Sequence, residues 1–198
     1  MPLSPCPPIS DADWPESIRD LRDGFAGQLN VYSTMAHHPA LLRSWAPLRQ
    51  HLVKNSALGA DRSEVVILRT GYRLGSHYEW AHHVSRARAL GFTDQRISAI
   101  AAMPDGEDGL IVRAVDALMD LHCIPANLEA ELAETIGREA VFDLIATVGF
   151  YTVLGGILMT YDTPLDDNVA SELSLNPISP VTGNGIRGCS HPMQDGQN

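Results

Sequence analysis

Cysteine is scarce in this sequence, and its three cysteines, Cys6, Cys123 and Cys189, lie far apart. No Cys-x-x-Cys pair exists, which disfavours a thioredoxin-like dithiol, an iron–sulfur cluster and an all-cysteine zinc site. A reducing cytoplasm is the simplest compartment for such a chain. Cys123 falls in an apolar helical pattern and is predicted to be a buried, inert thiol.

Basic residues are also few. Lys54 is the only lysine, and 14 Lys+Arg against 24 Asp+Glu give a formal net charge of −10. Such an acidic chain repels phosphate backbones and anionic membrane surfaces, so we expect neither a nucleic acid nor a membrane as partner. Residues 1–10 contain four prolines and lack the basic start of a secretory signal.

Long hydrophobic runs are absent except at residues 140–161, which are apolar over about the thickness of a bilayer. This run contains Asp143, three threonines and three glycines, and no lysine or arginine follows it closely. These features favour a buried core helix over a membrane span.

Helical periodicity dominates the remaining sequence, and no run alternates as a strand does. Caps, prolines and glycines delimit helical segments at about residues 13–24, 39–52, 61–75, 76–91, 93–104, 108–125, 127–137 and 139–161. The sequence therefore predicts one all-α domain, a compact multi-helix bundle, over residues 11–162. Residues 1–10 are predicted to be a flexible leader and residues 163–198 a flexible tail, because both are rich in proline or glycine.

Polar residues lie on the apolar face of the helix that follows Ser76. At about 100° per residue, Glu79 and His83 share one stripe of that helix, one turn apart. The apolar members of the stripe are Trp80, Ala87 and Leu90. Glu79 and His83 are therefore predicted to face the core.

The preceding helix repeats this pattern, since Glu64 shares its face with Ile67, Leu68, Gly71 and Tyr72. Gly71 costs about 1 kcal/mol relative to alanine, so we expect another helix or a ligand to approach it closely. Two carboxyl groups beside one imidazole have pKa values that move apart, which provides one acid and one base near neutral pH. The alternative is an exposed i,i+4 pair of Glu79 and His83, with Glu64 complementing the helix dipole.

A metal site is not predicted from these residues, because their spacing is not His-Glu-x-x-His and the neighbouring His82 and His83 point in different directions.

Residues 61–100, DRSEVVILRTGYRLGSHYEWAHHVSRARALGFTDQRISAI, resemble the carboxymuconolactone decarboxylase family, which also includes the alkyl hydroperoxidase D-like proteins. The resemblance extends more loosely from residues 30–42 to residues 144–158. It implies a helical bundle of the alkyl hydroperoxidase D-like type that needs no metal or organic cofactor. It also implies a homo-oligomer, a trimer or a hexamer, with the pocket near a subunit interface.

In the peroxidase branch of that family, a glutamate precedes a Cys-x-x-Cys pair and a histidine follows it. The corresponding places are held here by Glu64, by Ser76 and Glu79, and by His83. Because both thiols are absent, the resemblance implies the decarboxylase side of the family and not thiol peroxidase chemistry.

These residues predict a cofactor-independent acid/base enzyme, a lyase-like enzyme acting on a small lactone, keto acid or related carbonyl metabolite. Glu64, Glu79 and His83 are the expected catalytic residues. The expected substrate-binding residues are Ser76, Tyr78, Trp80 and Tyr72, and weaker candidates for binding a carboxylate are Arg69 and Arg73. The first alternative is a non-catalytic protein of the same fold that binds a small molecule or supports assembly. A second alternative keeps peroxide chemistry through Cys123.

Overall fold

Ten α-helices and no strand make up residues 6–178, the part of the chain that the computed structural model describes. This result confirms the predicted all-α fold. The helices are α1 (Arg19–Asp23), α2 (Asn30–Met35), α3 (Pro39–Gln50), α4 (Gly59–Leu74), α5 (His77–Ala89), α6 (Asp94–Ala102), α7 (Gly106–Leu121), α8 (Ala126–Ile136), α9 (Arg138–Thr160) and α10 (Asp167–Leu175). Short 3₁₀ turns precede α1 and α2, and one π-helical turn, His51–Asn55, follows α3.

Helix α4 is the centre of the bundle and packs against α5, α7 and α9. Its four consecutive residues Val65, Val66, Ile67 and Leu68 are all buried, because neighbouring helices cover more than one side of it. Helix α8 packs on α9, and α10 packs on α5. The polar residues of α4 and α5 therefore lie inside the bundle.

The buried side chains form two hydrophobic clusters, and the facing helices α4 and α5 contribute to both. Leu68 and Trp80 belong to the first cluster, which extends through α6, α7 and α8. Ile67 and Tyr78 belong to the second, which includes the N-terminal segment and the second half of α9. Around the helix axes, Glu64 of α4 and Glu79 and His83 of α5 lie between these anchors, so they face the boundary between the clusters.

Helix α9 has 23 residues and is the one helix in the described residues that is long and apolar enough to cross a membrane. Core helices of globular proteins pass the same test, and 56% of its most apolar window is buried. Its buried side packs on α4 and α8, as predicted for a core helix. Phe142, Ile145 and Val153 are exposed on its outer side.

Several predicted helix boundaries differ from the structure. The segment predicted at 13–24 consists of 3₁₀ turns and the five-residue α1, and α2 was not predicted. Helix α4 begins at Gly59, so Asp61 lies inside its first turn and pairs with Arg96 at 2.7 Å instead of capping the helix. Ser76 and Thr93 are N-caps, as predicted.

Residues 163–178 differ from the predicted flexible tail, because they pack on the bundle through α10. Asp166, just before α10, accepts hydrogen bonds from Tyr78 Oη at 2.6 Å and from the backbone N–H of Asn30 at 2.9 Å, and lies 2.6 Å from His82 Nε2. These contacts are polar, so hydrophobic content gave no sign of them. Within the predicted leader, the N–H of Ile9 donates to the carbonyl of Ser33 at 3.2 Å. Residues 1–5 and 179–198 of the two predicted ends lie outside the described residues.

Candidate active site

Glu64, Glu79 and His83 lie together where α4 crosses α5, and their exposed fractions are 8%, 3% and 3%. Glu64 Oε2 is 2.6 Å from His83 Nδ1, and Glu79 Oε2 is 3.6 Å from His83 Nε2. The imidazole therefore lies between two carboxyl groups, one from each helix.

The junction between α4 and α5 positions these groups. Gly75 ends α4 with a φ of 70°, a left-handed conformation that glycine adopts without steric cost. Ser76 follows with extended backbone, and its Oγ accepts a hydrogen bond from the N–H of Glu79 at 3.4 Å. Because this cap fixes the first turn of α5, it also fixes the direction in which Glu79 leaves the helix.

Gly71 lets the two helices approach each other at this site. A Cβ atom at Gly71 would lie 3.2 Å from Glu79 Cβ and 3.3 Å from the backbone N of Trp80. The close approach predicted from the glycine is therefore that of helix α5.

We expect Gly71→Ala to lower the free energy of unfolding by about 1–2 kcal/mol, because the added methyl group displaces the backbone of α5 by more than the gain in helix propensity offsets. Gly149→Ala in α9 is the matched control, since nothing lies within 4 Å of a Cβ at that position. That control should gain about 1 kcal/mol. Urea denaturation of the two variants measures both changes, and a stabilised Gly71→Ala would contradict the tight crossing.

The protonation state of His83 follows from its surroundings. A carboxylate only accepts hydrogen bonds, so Nδ1–H donates to Glu64 and the neutral ring keeps its lone pair on Nε2. Burial lowers the pKa of His83 below its ordinary value of 6.5, although the charge of Glu64 acts in the opposite direction. At neutral pH, Nε2 is therefore a base that faces Glu79.

Glu79 has the complementary character. Burial raises its pKa from 4.5 to about 8; the charge of Glu64 adds to this effect and the positive charge of Arg86 opposes it. Its Oε1 atom has no hydrogen-bond partner among the described residues. Glu79 is therefore mostly protonated at neutral pH. The 3.6 Å gap to His83 Nε2 is too long for a hydrogen bond, so an acid and a base face each other without neutralising each other.

Two cavities border this group. The smaller, of about 20 Å³, is lined by Glu79 and His83 and has room for about one water molecule. The larger, of about 150 Å³, is lined by Glu64. Arg86 and Tyr151 line both cavities. The ring of Tyr151 stands edge-on to His83, with ring centroids 5.0 Å apart.

The four predicted substrate-binding residues are distributed differently from the three acid/base residues. Tyr78 lines the smaller cavity, but its hydroxyl donates to Asp166 and accepts from the N–H of Val31. Ser76 and Tyr78 also line a separate cavity of about 310 Å³ beside residues 158–165.

Tyr72 and Trp80 line none of these three cavities, and their role in binding substrate stays a prediction. Trp80 lies about 100° around α5 from Glu79 and packs in the first hydrophobic cluster, with Tyr72 against it. Leu90, predicted to mark the buried stripe, is 49% exposed at the end of α5. Arg69 and Arg73 both pair with Asp116 at 2.6 Å and do not line these cavities.

Sequence reasoning missed three residues that line the larger cavity: Arg86, Thr147 and Tyr151. Arg86 follows His83 by three residues on α5, a spacing that places two side chains on neighbouring positions of a helix surface. Thr147 and Tyr151 lie one turn apart on α9, and that spacing of polar groups in an apolar helix was the available signal.

The site lies within the part of the chain that matches a known family. Residues 39–118 match the model of the carboxymuconolactone decarboxylase family. The matched stretch is less than half of the chain. This finding confirms the resemblance carried by residues 61–100, and the matched stretch includes Glu64, Glu79 and His83.

At the level of sequence, no curated protein matches the chain. Its structure is similar to a crystal structure of a cysteine-to-alanine variant of the debrominase Bmp8 in complex with 2,3,4-tribromopyrrole. The TM-score is 0.69 at 14% sequence identity, and the match covers 88% of this chain and 97% of that chain. At this identity, the likeness extends to the fold alone.

Proposed function

We propose that this protein is a cofactor-independent acid/base enzyme that acts on a small lactone, keto acid or related carbonyl compound. The observation that carries the proposal is the buried pair of His83 and Glu79, 3.6 Å apart, in which burial lowers the pKa of the imidazole and raises that of the carboxyl group to about 8. Such a pair can accept and donate a proton in the same step at neutral pH. Glu64 holds His83 in the tautomer whose Nε2 is the base.

The proposed chemistry begins with proton transfer next to a carbonyl group. His83 Nε2 accepts a proton from the carbon beside the carbonyl, while Glu79 donates its proton to the carbonyl oxygen. The product is an enol, and reversal of both transfers at another carbon restores both side chains. In a keto acid whose carboxylate is attached to the carbon beside the carbonyl, loss of carbon dioxide leaves the electron pair of the broken bond on the carbonyl oxygen. Glu79 protonates that oxygen and is then reprotonated from solvent.

The fold supports an enzymatic assignment. The similar structure is named a debrominase and holds a small halogenated pyrrole, so this architecture accommodates a small ring compound in that protein. The family of residues 39–118 carries the name of a decarboxylase. These names support an enzyme with a small substrate here; the reaction itself is proposed from Glu79 and His83.

Assay of the purified wild-type protein and His83→Ala against a panel of small lactones and keto acids tests the proposal. We expect one class of compound to be consumed by the wild type and about 10²–10⁴-fold more slowly by the variant, since the variant has lost its base. His77→Ala, which removes an exposed histidine from the same helix, is the matched control and should keep full activity. Consumption at equal rates by the wild type and His83→Ala, or no consumption at all, would contradict the proposal.

The two alternatives make different predictions in the same assay. A non-catalytic binding protein would bind a compound of the panel and leave it unchanged. Peroxide chemistry would depend on Cys123, which the structure places at the surface because α7 ends two residues earlier, at Leu121. The prediction that Cys123 is buried is therefore wrong. Peroxide consumption that disappears in Cys123→Ser would favour that alternative.

A further inference from the structure

The larger cavity beside Glu64 is lined by two cations that make no ion pair within residues 6–178. The chain carries a net charge of −10, and within residues 6–178 every arginine except Arg49 and Arg86 makes an ion pair with a carboxylate. Arg49 instead lies against the rings of Phe25 and Tyr32. Lys54 makes no ion pair in this part of the chain either. Arg86 and Lys54 both line the 150 Å³ cavity.

Neither position is explained by packing alone. Arg86 is half-buried on α5, where an unpaired guanidinium loses hydration without gaining a partner. Lys54 belongs to the π-helical turn, which is held in place by Asp143 of α9. Asp143 accepts hydrogen bonds from the N–H of Ala57 at 2.7 Å and from Ser56 Oγ at 3.1 Å, and lies 2.8 Å from His51 Nε2. The chain therefore fixes this turn at the edge of the cavity.

A third group in the cavity also has no partner. The hydroxyl of Thr147 is buried, and Thr147 as a whole is 2% exposed. Its Oγ1 makes no hydrogen bond with the described residues, although most buried hydroxyl groups in proteins make one. An orphaned donor and two unpaired cations around one cavity are together the complement of an anion.

We propose that this cavity binds the carboxylate group of the substrate, with Arg86 as the principal partner, Lys54 at the entrance and Thr147 Oγ1 as a hydrogen-bond donor. This inference rests on the proposed function, because it assigns the substrate a negative charge. Glu64 lines the same cavity, and its carboxylate repels an anion. The bound carboxylate therefore lies on the Arg86 side, away from Glu64. Arg86 also lines the smaller cavity with Glu79 and His83, so the uncharged reacting end of the molecule is directed past Arg86 towards that pair.

Isothermal titration at neutral pH and low salt tests the site without any need for turnover. The probes are levulinate, a small keto acid, and levulinamide, its uncharged amide. We expect the wild type to bind levulinate at least tenfold more tightly than levulinamide. Arg86→Gln should lose about tenfold or more in affinity for levulinate and leave the affinity for the amide unchanged, since charge-assisted hydrogen bonds are the stronger ones. Lys54→Gln should lose less, because Lys54 is exposed.

Two further variants separate charge from folding. Arg86→Lys retains the charge and should keep part of the affinity, although it cannot bind a carboxylate in the bidentate manner of arginine. Arg113→Gln removes an exposed arginine of α7 and should bind levulinate as the wild type does. Equal affinity of the wild type for the two probes, no binding of levulinate, or unchanged binding by Arg86→Gln would each overturn the proposal.

The outcome is distinguishable from that of the proposed function. His83→Ala should still bind levulinate, because His83 does not hold the carboxylate. Charge-dependent binding without turnover of any panel compound would leave the anion site in place and remove the acid/base enzyme. Turnover that depends on His83 but not on Arg86 would support the acid/base enzyme and remove the anion site.

Discussion

Glu79→Gln should reduce kcat of the reaction by about 10²–10⁴-fold, because the amide retains the shape of the protonated carboxyl group but has no acidic proton to donate. KM should change little, since Glu79 lies beside the smaller cavity and not beside the proposed carboxylate site. Steady-state kinetics on the compound identified in the panel measures both parameters. Glu131→Gln, an exposed glutamate of α8, is the control and should behave as the wild type.

The pH profile gives a second reading of the same prediction. In the wild type, kcat should fall at alkaline pH as the Glu79 carboxyl, with its pKa of about 8, loses its proton. It should also fall at acidic pH, as His83 becomes protonated below 6.5. Because the two groups interact, the acidic and alkaline limbs of the profile give apparent pKa values of the pair and not of either residue alone. Residual activity of Glu79→Gln should have no alkaline limb. A variant that retains both the rate and that limb would show that Glu79 is not the acid.

Glu79→Gln should also change how stability depends on pH. The folded protein holds a proton on Glu79 up to about pH 8, whereas the unfolded chain releases it near 4.5. The stabilisation from this proton is complete below pH 4.5 and is lost as pH rises through the folded pKa. His83, with its lowered pKa, acts in the opposite direction below 6.5. The effect of Glu79 is therefore isolated between pH 6.5 and 8, where the wild type should lose about 2 kcal/mol of unfolding free energy relative to Glu79→Gln.

Urea denaturation at several pH values in this window measures the difference. Glu131→Gln should lose stability with rising pH in parallel with the wild type, because Glu131 is exposed. If Glu79→Gln follows the wild-type slope, Glu79 is already ionised in the folded protein, and it could then not serve as the acid of the proposed reaction. A loss of activity together with a gain of stability above pH 7 is the combination expected for a buried catalytic carboxyl group.

The site was predictable from sequence to the extent that it depends on helical periodicity. The spacing of Glu79 and His83, with Glu64 on the preceding helix, placed three polar groups on facing apolar stripes, and the structure brings them together. Gly71 also indicated the close helix crossing, since a glycine inside a helix leaves room for a neighbouring helix or a ligand. The absence of a Cys-x-x-Cys dithiol followed from residue identity alone, because Ser76 and Glu79 stand where the resemblance places the cysteines of the peroxidase branch.

The sequence did not predict that a second side of α5, the side of Tyr78 and His82, is buried. Tyr78 and His82 lie away from the apolar stripe, yet both are buried, because Asp166 and α10 return from the end of the chain to cover them. This segment buries Val169 and packs Leu173 on the first cluster, but its contacts with Tyr78 and His82 are polar and leave no hydrophobic signal in the sequence.

The sequence by itself determined the helical class, the central motif and the absence of a dithiol, because each depends on residue identity or on short-range spacing. Only the tertiary structure decided which helix supplies the other walls of the site. Arg86 and Thr147 lie 61 positions apart in the chain, and α5 and α9 bring both to one cavity through packing on α4. Charge pairing was also decided there, because the fold pairs Glu64 with His83 and leaves Arg86 of the same cavity without an ion pair among the described residues.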